Sequence, residues 1–207
     1  MSNADHNNTP KPVAPEKSQV RATLRECRRQ ISEKDQRLAA ESLKQIFSDQ
    51  QFHITRDHIG LYFPNDGEIN PLPLAHWLEQ QGKNCYLPIV DPTGDTCLEF
   101  GHFSPSKQDI LINNRFGIPE PVSSERVPVG QLGMLLLPLV GFDSTGNRIG
   151  MGKGFYDRTL ATIPLDENSL VIVGLAHECQ QVDHIEPDSW DIPLDGIITD
   201  QRFYPCR

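Results

Sequence analysis

The chain has 207 residues, an ordinary apolar share of 37% and a formal net charge of −9. That length suits one substantial core and is short for two. No segment has the roughly 18 consecutive apolar residues of a membrane span, the N-terminus lacks a signal-peptide core, and the acidic balance opposes general binding to a phosphate backbone. A cytoplasmic protein with neither nucleic acid nor membrane as partner is therefore expected, and a monomer is the default expectation beside it.

Residues 1–16 are rich in Asn, Pro, Asp and Lys and nearly free of large apolar side chains, so they read as a disordered leader ahead of a single domain at 17–207. From Ser18 the pattern turns helical, with Leu24 and Ile31 on one side and Arg21, Arg25, Arg28 and Arg29 along another. Lys17, Arg21 and Arg25 recur every four residues and share a face. Such a face is either solvated surface or a clamp for an anion. Ser32 followed by Asp35 marks the start of a second helix carrying Leu38, Leu43, Ile46 and Phe47.

Apolar runs then alternate with helical patterns. Strands are predicted at His58 to Phe63, Asn84 to Val90, Met134 to Leu139, Leu170 to Leu175 and Gly196 to Thr199. Helices are predicted at Leu72 to Gln81, closed by Gly82, and at Phe155 to Ile163, stopped before Pro164. Between Asp91 and Pro128 the chain is broken by Pro and Gly, with a short hairpin near Cys97 to Phe103. The alternation implies an α/β fold of three layers: a mostly parallel sheet with helices on both faces, preceded by an N-terminal helical segment. Ligands bind such sheets beyond the carboxyl ends of the strands.

Five cysteines, odd in number and without Cys-x-x-Cys spacing, read as reduced structural thiols. Of seven histidines, only His177, just after an apolar strand, stands out; a hydrogen-bonded structural role is expected for it.

The segment NRIGMGKGFYDR, Asn147 to Arg158, carries the chemistry. Gly150, Gly152 and Gly154 alternate around Lys153, a pattern that lets successive backbone N–H groups turn toward one anion and lets that anion approach closely. Arg148 adds a forked donor at the entrance, and Asp157 offers a carboxylate to a divalent cation. An apolar strand before the loop and a helix after it would aim a helix N-terminus at bound phosphate. The P-loop pattern fails, because Asn147 stands at its first glycine and Gly154 at its hydroxyl position; Gly-x-Gly-x-x-Gly fails on the strict alternation. Glu68, in the segment PNDGEIN, is a turn carboxylate able to accept hydrogen bonds from a ligand or simply to meet solvent.

Arg148, Gly150, Gly152, Gly154, Phe155, Tyr156, Asp157 and Arg158 match the Arg-x-Gly-x-Gly-x-Gly-aromatic-Tyr-Asp-Arg segment of 5-formyltetrahydrofolate cyclo-ligases, also called methenyltetrahydrofolate synthetases. The basic helix, PNDGEIN and the closing stretch Gly174 to Asp200 agree in order, so the chain resembles that family over nearly everything after residue 17. Met151 stands where many members have arginine, and Phe155 where tyrosine is usual.

The resemblance implies ATP-dependent cyclisation of 5-formyltetrahydrofolate to 5,10-methenyltetrahydrofolate in one-carbon metabolism, with Mg²⁺ and release of ADP and phosphate. It implies ATP contacts from Lys17, Arg21 and residues Arg148, Ile149, Gly150, Met151, Gly152, Lys153, Gly154, Phe155 and Tyr156. Folate contacts follow from Phe63, Glu68 and the stretch Met151 to Phe155, and catalytic roles fall to Lys153 and Arg148. Asp157 and Asp191 are the magnesium candidates, since that ion takes few carboxylates beside water and phosphate oxygens. Asp157 has alternatives in pairing with Arg158 or capping its helix, and Asp191 in closing a turn. A noncatalytic binder of phosphorylated metabolites is the rival reading, one for which a metal carboxylate beside the loop has no use.

Overall fold

A computed structural model describes residues 16–91, 97–107, 110–122, 125–164 and 170–206. In chain order the elements are α1 (Lys17–Arg29), α2 (Glu33–Asp49), β1 (His58–Gly60), α3 (Leu72–Gln80), β2 (Asn84–Val90), β3 (Leu98–Phe103), β4 (Leu111–Asn113) and β5 (Pro119–Pro121). There follow β6 (Arg126–Pro128), β7 (Met134–Pro138), β8 (Gly141–Phe142), β9 (Arg148–Ile149), α4 (Phe155–Leu160), β10 (Val171–Leu175), β11 (Gly196–Ile198) and β12 (Phe203–Pro205).

Eight strands form one sheet in the order β12-β11-β10-β7-β1-β2-β3-β6. The central five are parallel, with β1 paired to both β2 and β7, and β10 to both β7 and β11. The outer strands β12, β3 and β6 join antiparallel. Burial on both faces explains the uninterrupted apolar run of β7, because successive side chains point to opposite sides and both sides are covered. Met134 and Leu136 pack with Leu43 and Phe47 of α2 and Leu74 and Leu78 of α3. Leu135 and Leu137 pack on the other face with Phe100, Ile172, Ile197 and Leu160 of α4.

The direction of winding reverses between β1 and β7. From β1 the chain crosses through α3 to β2, whereas β7 leads outward to β10 and β11. Loops leaving the carboxyl ends of these two neighbours diverge and open a crevice, the usual ligand position in such sheets. Helix α1 closes one side of it, with Leu24 packed beside Val140, Ile149 and Ile185.

The expected three-layer arrangement is present, with several local differences. The strand expected over His58 to Phe63 pairs as β1 only to Gly60, although Leu61 N still donates to Tyr86 O at 2.8 Å. The helix expected to run to Ile163 ends at Leu160 in 3-10-type bonds, Thr162 N to Thr159 O and Ile163 N to Leu160 O. Cys97 to Phe103 is no self-contained hairpin: β3 returns onto β2 along six register pairs. Strand β7 leads into a ribbon, β8 paired with β9, rather than directly into the glycine loop. Ser32 caps α2 as expected, accepting from Asp35 N at 3.2 Å. The proposed leader, Glu16 excepted, lies outside the described residues. Among the described residues no helix is long and apolar enough to cross a membrane.

Candidate active site

The loop after β1 is held from behind by α1. Asp66 takes the left-handed conformation at φ +54° and Gly67 at φ +77°, turning the chain so that Glu68 N donates to Asn65 O and Asn65 N donates to the Glu68 carboxylate, both at 3.0 Å. A Cβ on Gly67 would stand 3.0 Å from Arg28 O, so glycine is required there by both φ and contact. Asp66 receives Arg25 Nε at 2.8 Å, Arg28 Nη2 at 3.0 Å and the Arg29 guanidinium. Burial favours its neutral form, but these three arginines outweigh that and hold its carboxyl at about 2.

Glu68 is governed by the opposite balance. Burial pushes its carboxyl up to about 7, with Arg28 and the Asn65 N–H acting downward and the Asp66 charge upward. An acceptor near its titration point at neutral pH is thereby placed in the lining of the crevice. Tyr62, just before it, is buried and donates from its hydroxyl to Ile69 O at 2.7 Å.

The glycine loop leaves the β8–β9 ribbon, whose turn is braced by Asp143. That carboxylate accepts from Thr145 N at 2.9 Å, Asn147 N at 3.1 Å and Ile185 N at 3.0 Å. Gly152 and Gly154 have φ of +84° and +62°, the left-handed geometry the alternation predicts, while Gly150 has no positive φ. Arg21 Nε donates to Gly150 O at 2.8 Å, fastening α1 to the loop. Lys153 is exposed, and its Nζ sits 3.6 Å above the centre of the Phe116 ring. Lys17, at the start of α1, pairs with Asp188 at 2.7 Å.

The two metal candidates are already engaged. Arg148 Nη2 donates to Asp157 Oδ1 and Arg148 Nη1 to Ile192 O, so Asp157 pairs with Arg148 rather than with Arg158. Asp191 Oδ2 accepts from Asp188 N at 2.8 Å, which is the turn-closing role. Each aspartate uses one carboxylate oxygen in these bonds, so the other matches the sparse carboxylate shell of Mg²⁺. Among the described residues no group of three or more His, Cys, Asp or Glu side chains forms a metal cluster. Here a metal would need ligand oxygens from a substrate.

One cavity of about 520 Å³ gathers these parts. Lys17, Arg21, Phe63, Glu68, the whole stretch from Arg148 to Asp157, and Asp191 all line it. Sequence reasoning missed its roof: Asn114, Phe116, Ile118 and Glu120, contributed by the β4–β5 ribbon and its connection. That segment has neither a long apolar period nor a motif, and only Asn-Arg-Phe-Gly marks a turn. Trp190 and Asp188 also border the cavity. His177 is buried and has the hydrogen-bonded role expected of it, its side chain accepting from the Gln180 backbone N–H in a capping box, although its Nε2 is without a hydrogen-bond partner. Arg28, expected on a charged face, is fully buried.

Comparison with known proteins agrees with this geometry. Residues 13–200 match the 5-formyltetrahydrofolate cyclo-ligase family. A protein of Haemophilus influenzae named 5-formyltetrahydrofolate cyclo-ligase is 38% identical over 184 residues, covering 88% of this chain and 96% of its own. Its namesake from Escherichia coli K12 is 37% identical over 148 residues, covering 70% and 79%. The NMR structure of Aquifex aeolicus 5,10-methenyltetrahydrofolate synthetase superposes with a TM-score of 0.77 at 30% identity, covering 92% of this chain and 93% of that one.

Proposed function

This chain belongs to the 5-formyltetrahydrofolate cyclo-ligase family, and we propose that it drives the cyclisation with ATP, through phosphoryl transfer to the formyl oxygen. The observation that carries this reading is the meeting of a cation-bearing glycine loop and a buried acceptor, Glu68, in one cavity at the switch point of the sheet. The loop suits a polyphosphate and Glu68 a pterin. A cavity of about 520 Å³ accommodates reacting parts of both.

An amide oxygen is a poor leaving group. In the proposed sequence the formyl oxygen attacks the γ-phosphorus of ATP, the bond to the β-phosphate oxygen breaks, and ADP departs. The folate N10 then attacks the activated formyl carbon, loses its proton, and the new ring expels phosphate to give the methenyl cation. Phosphoryl transfer needs positioning and charge compensation more than a protein nucleophile. Lys153 and the N–H groups of Gly152 to Gly154 face the transferring phosphoryl group, and Lys17 and Arg21 hold the rest of the triphosphate. Glu68 accepts from the amino and ring N–H groups of the pterin, with Phe63 alongside. Asp157 and Asp191 would hold Mg²⁺, which supplies charge neutralisation at the phosphates.

Absorbance tests the reading directly, since methenyltetrahydrofolate has its own near-ultraviolet band. Purified protein with Mg²⁺, ATP and 5-formyltetrahydrofolate is expected to generate that band, and omission of ATP to abolish it. A band formed equally well without nucleotide would overturn the ATP-driven mechanism.

A further inference from the structure

One guanidinium spans the switch point. Arg28 Nε donates to Asp66 O at 2.8 Å and Nη1 to Leu139 O at 2.9 Å, joining the loop after β1 to the residue that follows β7. Nη2 donates to Asp66 Oδ2 at 3.0 Å and lies 3.6 Å from Glu68 Oε1. The Arg28 side chain is 0% exposed.

Stability alone explains this arrangement poorly, because removing a charge from water costs several kcal/mol and a buried ion pair often does no better than an apolar residue of similar size. Nor does Asp66 depend on Arg28 for neutralisation, since Arg25 and Arg29 already bind the same carboxylate. Glu68 is in a different position. Among the described residues its one ion-pair contact is Arg28.

We propose that Arg28 is a positioning residue for the reaction: it fixes the Glu68 carboxylate at the folate end of the cavity and supplies the cation that keeps it charged. The inference rests on the proposed contact between Glu68 and folate. Glu68 is acted on by Arg28 from α1 and by Asp66 and the Asn65 N–H from its own loop, and it faces the buried hydroxyls of Tyr62, just after β1, and Tyr156 of α4. Arg28 is the single cation among them. Its removal leaves the Asn65 N–H alone to favour the carboxylate, against burial and the Asp66 charge, both of which favour protonated Glu68.

The test compares pH profiles of kcat/KM for 5-formyltetrahydrofolate in the parent enzyme, R28Q, R28K and E68Q. The parent is expected to lose activity toward acid with a limb near 7, set by Glu68. R28Q moves that limb to higher pH by about one unit and raises folate KM at neutral pH about tenfold, while its KM for ATP changes far less. R28K keeps a charge but cannot reproduce the three-sided fork, so it raises folate KM with a smaller move of the limb. E68Q removes the limb, and adding R28Q to E68Q leaves the profile flat.

A limb and folate KM unchanged in R28K and R28Q overturn the proposal. Should R28Q not fold, R28K alone decides by the same criterion. If instead E68Q keeps both the limb and normal folate KM, the folate role of Glu68 fails first and the inference falls with it.

Discussion

Arg148 and Asp157 neutralise each other at the root of the glycine loop. The guanidinium reaches the Asp157 carboxylate with one nitrogen and Ile192 O with the other, and its side chain is only 7% exposed. The forked donor beside the loop and the carboxylate proposed for Mg²⁺ are therefore one unit. In the proposed reaction, the metal-nucleotide would have to share or replace that pair.

From this pairing, Asp157→Asn is expected to raise the Mg²⁺ concentration giving half-maximal activity about tenfold, consistent with losing one hard anionic ligand. Arg148→Lys should lower kcat by a similar factor, because an ammonium cannot satisfy Ile192 O and Asp157 together as the fork does. Steady-state assays over a Mg²⁺ series at fixed ATP check both. An unchanged Mg²⁺ requirement in Asp157→Asn removes that residue from the metal site.

Lys153 gives a cleaner separation of function from folding. Its side chain is exposed, and its contact is with the Phe116 ring, an interaction worth about 0.5–1 kcal/mol at such sites. Lys153→Ala is thus expected to shift unfolding free energy by less than about 1 kcal/mol while lowering kcat by roughly 100-fold or more, as loss of a preorganised transition-state contact does. Near-normal turnover would take the lysine out of the mechanism. Phe116→Leu should leave kcat almost unchanged at saturation if the ring only parks the lysine between turnovers.

How much of this was legible in the sequence varied with the range of the determining interaction. The parallel strands and the glycine loop were readable because period and spacing are local. Position 28 was not, since the same helical spacing that puts Arg21 beside Gly150 O puts Arg28 beneath a loop nearly forty residues away. A row of arginines looks alike whether it meets water or the loop after β1. The cavity roof escaped for a similar reason: β4 and β5 are three residues each and gain meaning only by covering the crevice. Asp191 shows the converse, a residue whose turn reading is local and is the one its hydrogen bond from Asp188 N supports.

Glu68 should cost stability for the sake of the site. Its folded carboxyl lies at about 7, above the ordinary value of 4.5, so the native state binds the proton more tightly than the unfolded chain. Stability consequently falls as pH rises from 4.5 through 7, and the penalty is complete above that. Glu68→Gln is expected to stabilise the ligand-free protein by about 2–3 kcal/mol at pH near 8 and hardly at all near pH 4. Denaturant unfolding at the two pH values measures this, and an equal effect at both would show that burial does not raise the Glu68 carboxyl.

Asp66 should behave in the opposite sense. Its backbone is left-handed at φ +54°, a conformation that asparagine tolerates, so Asp66→Asn removes charge with little added strain. The folded carboxyl is held at about 2, below its ordinary 3.8, by Arg25, Arg29 and Arg28 against the effect of burial. Its contribution is therefore fully present above 3.8 and lost as pH falls through 2. At neutral pH the substitution is expected to cost about 2–3 kcal/mol, with the gap from the parent narrowing as the pH drops below 4. Because Asp66 anchors α1 to the loop bearing Glu68, the variant should also raise KM for folate. Equal destabilisation at pH 7 and in acid would mean that the three arginines hold the loop through packing rather than charge.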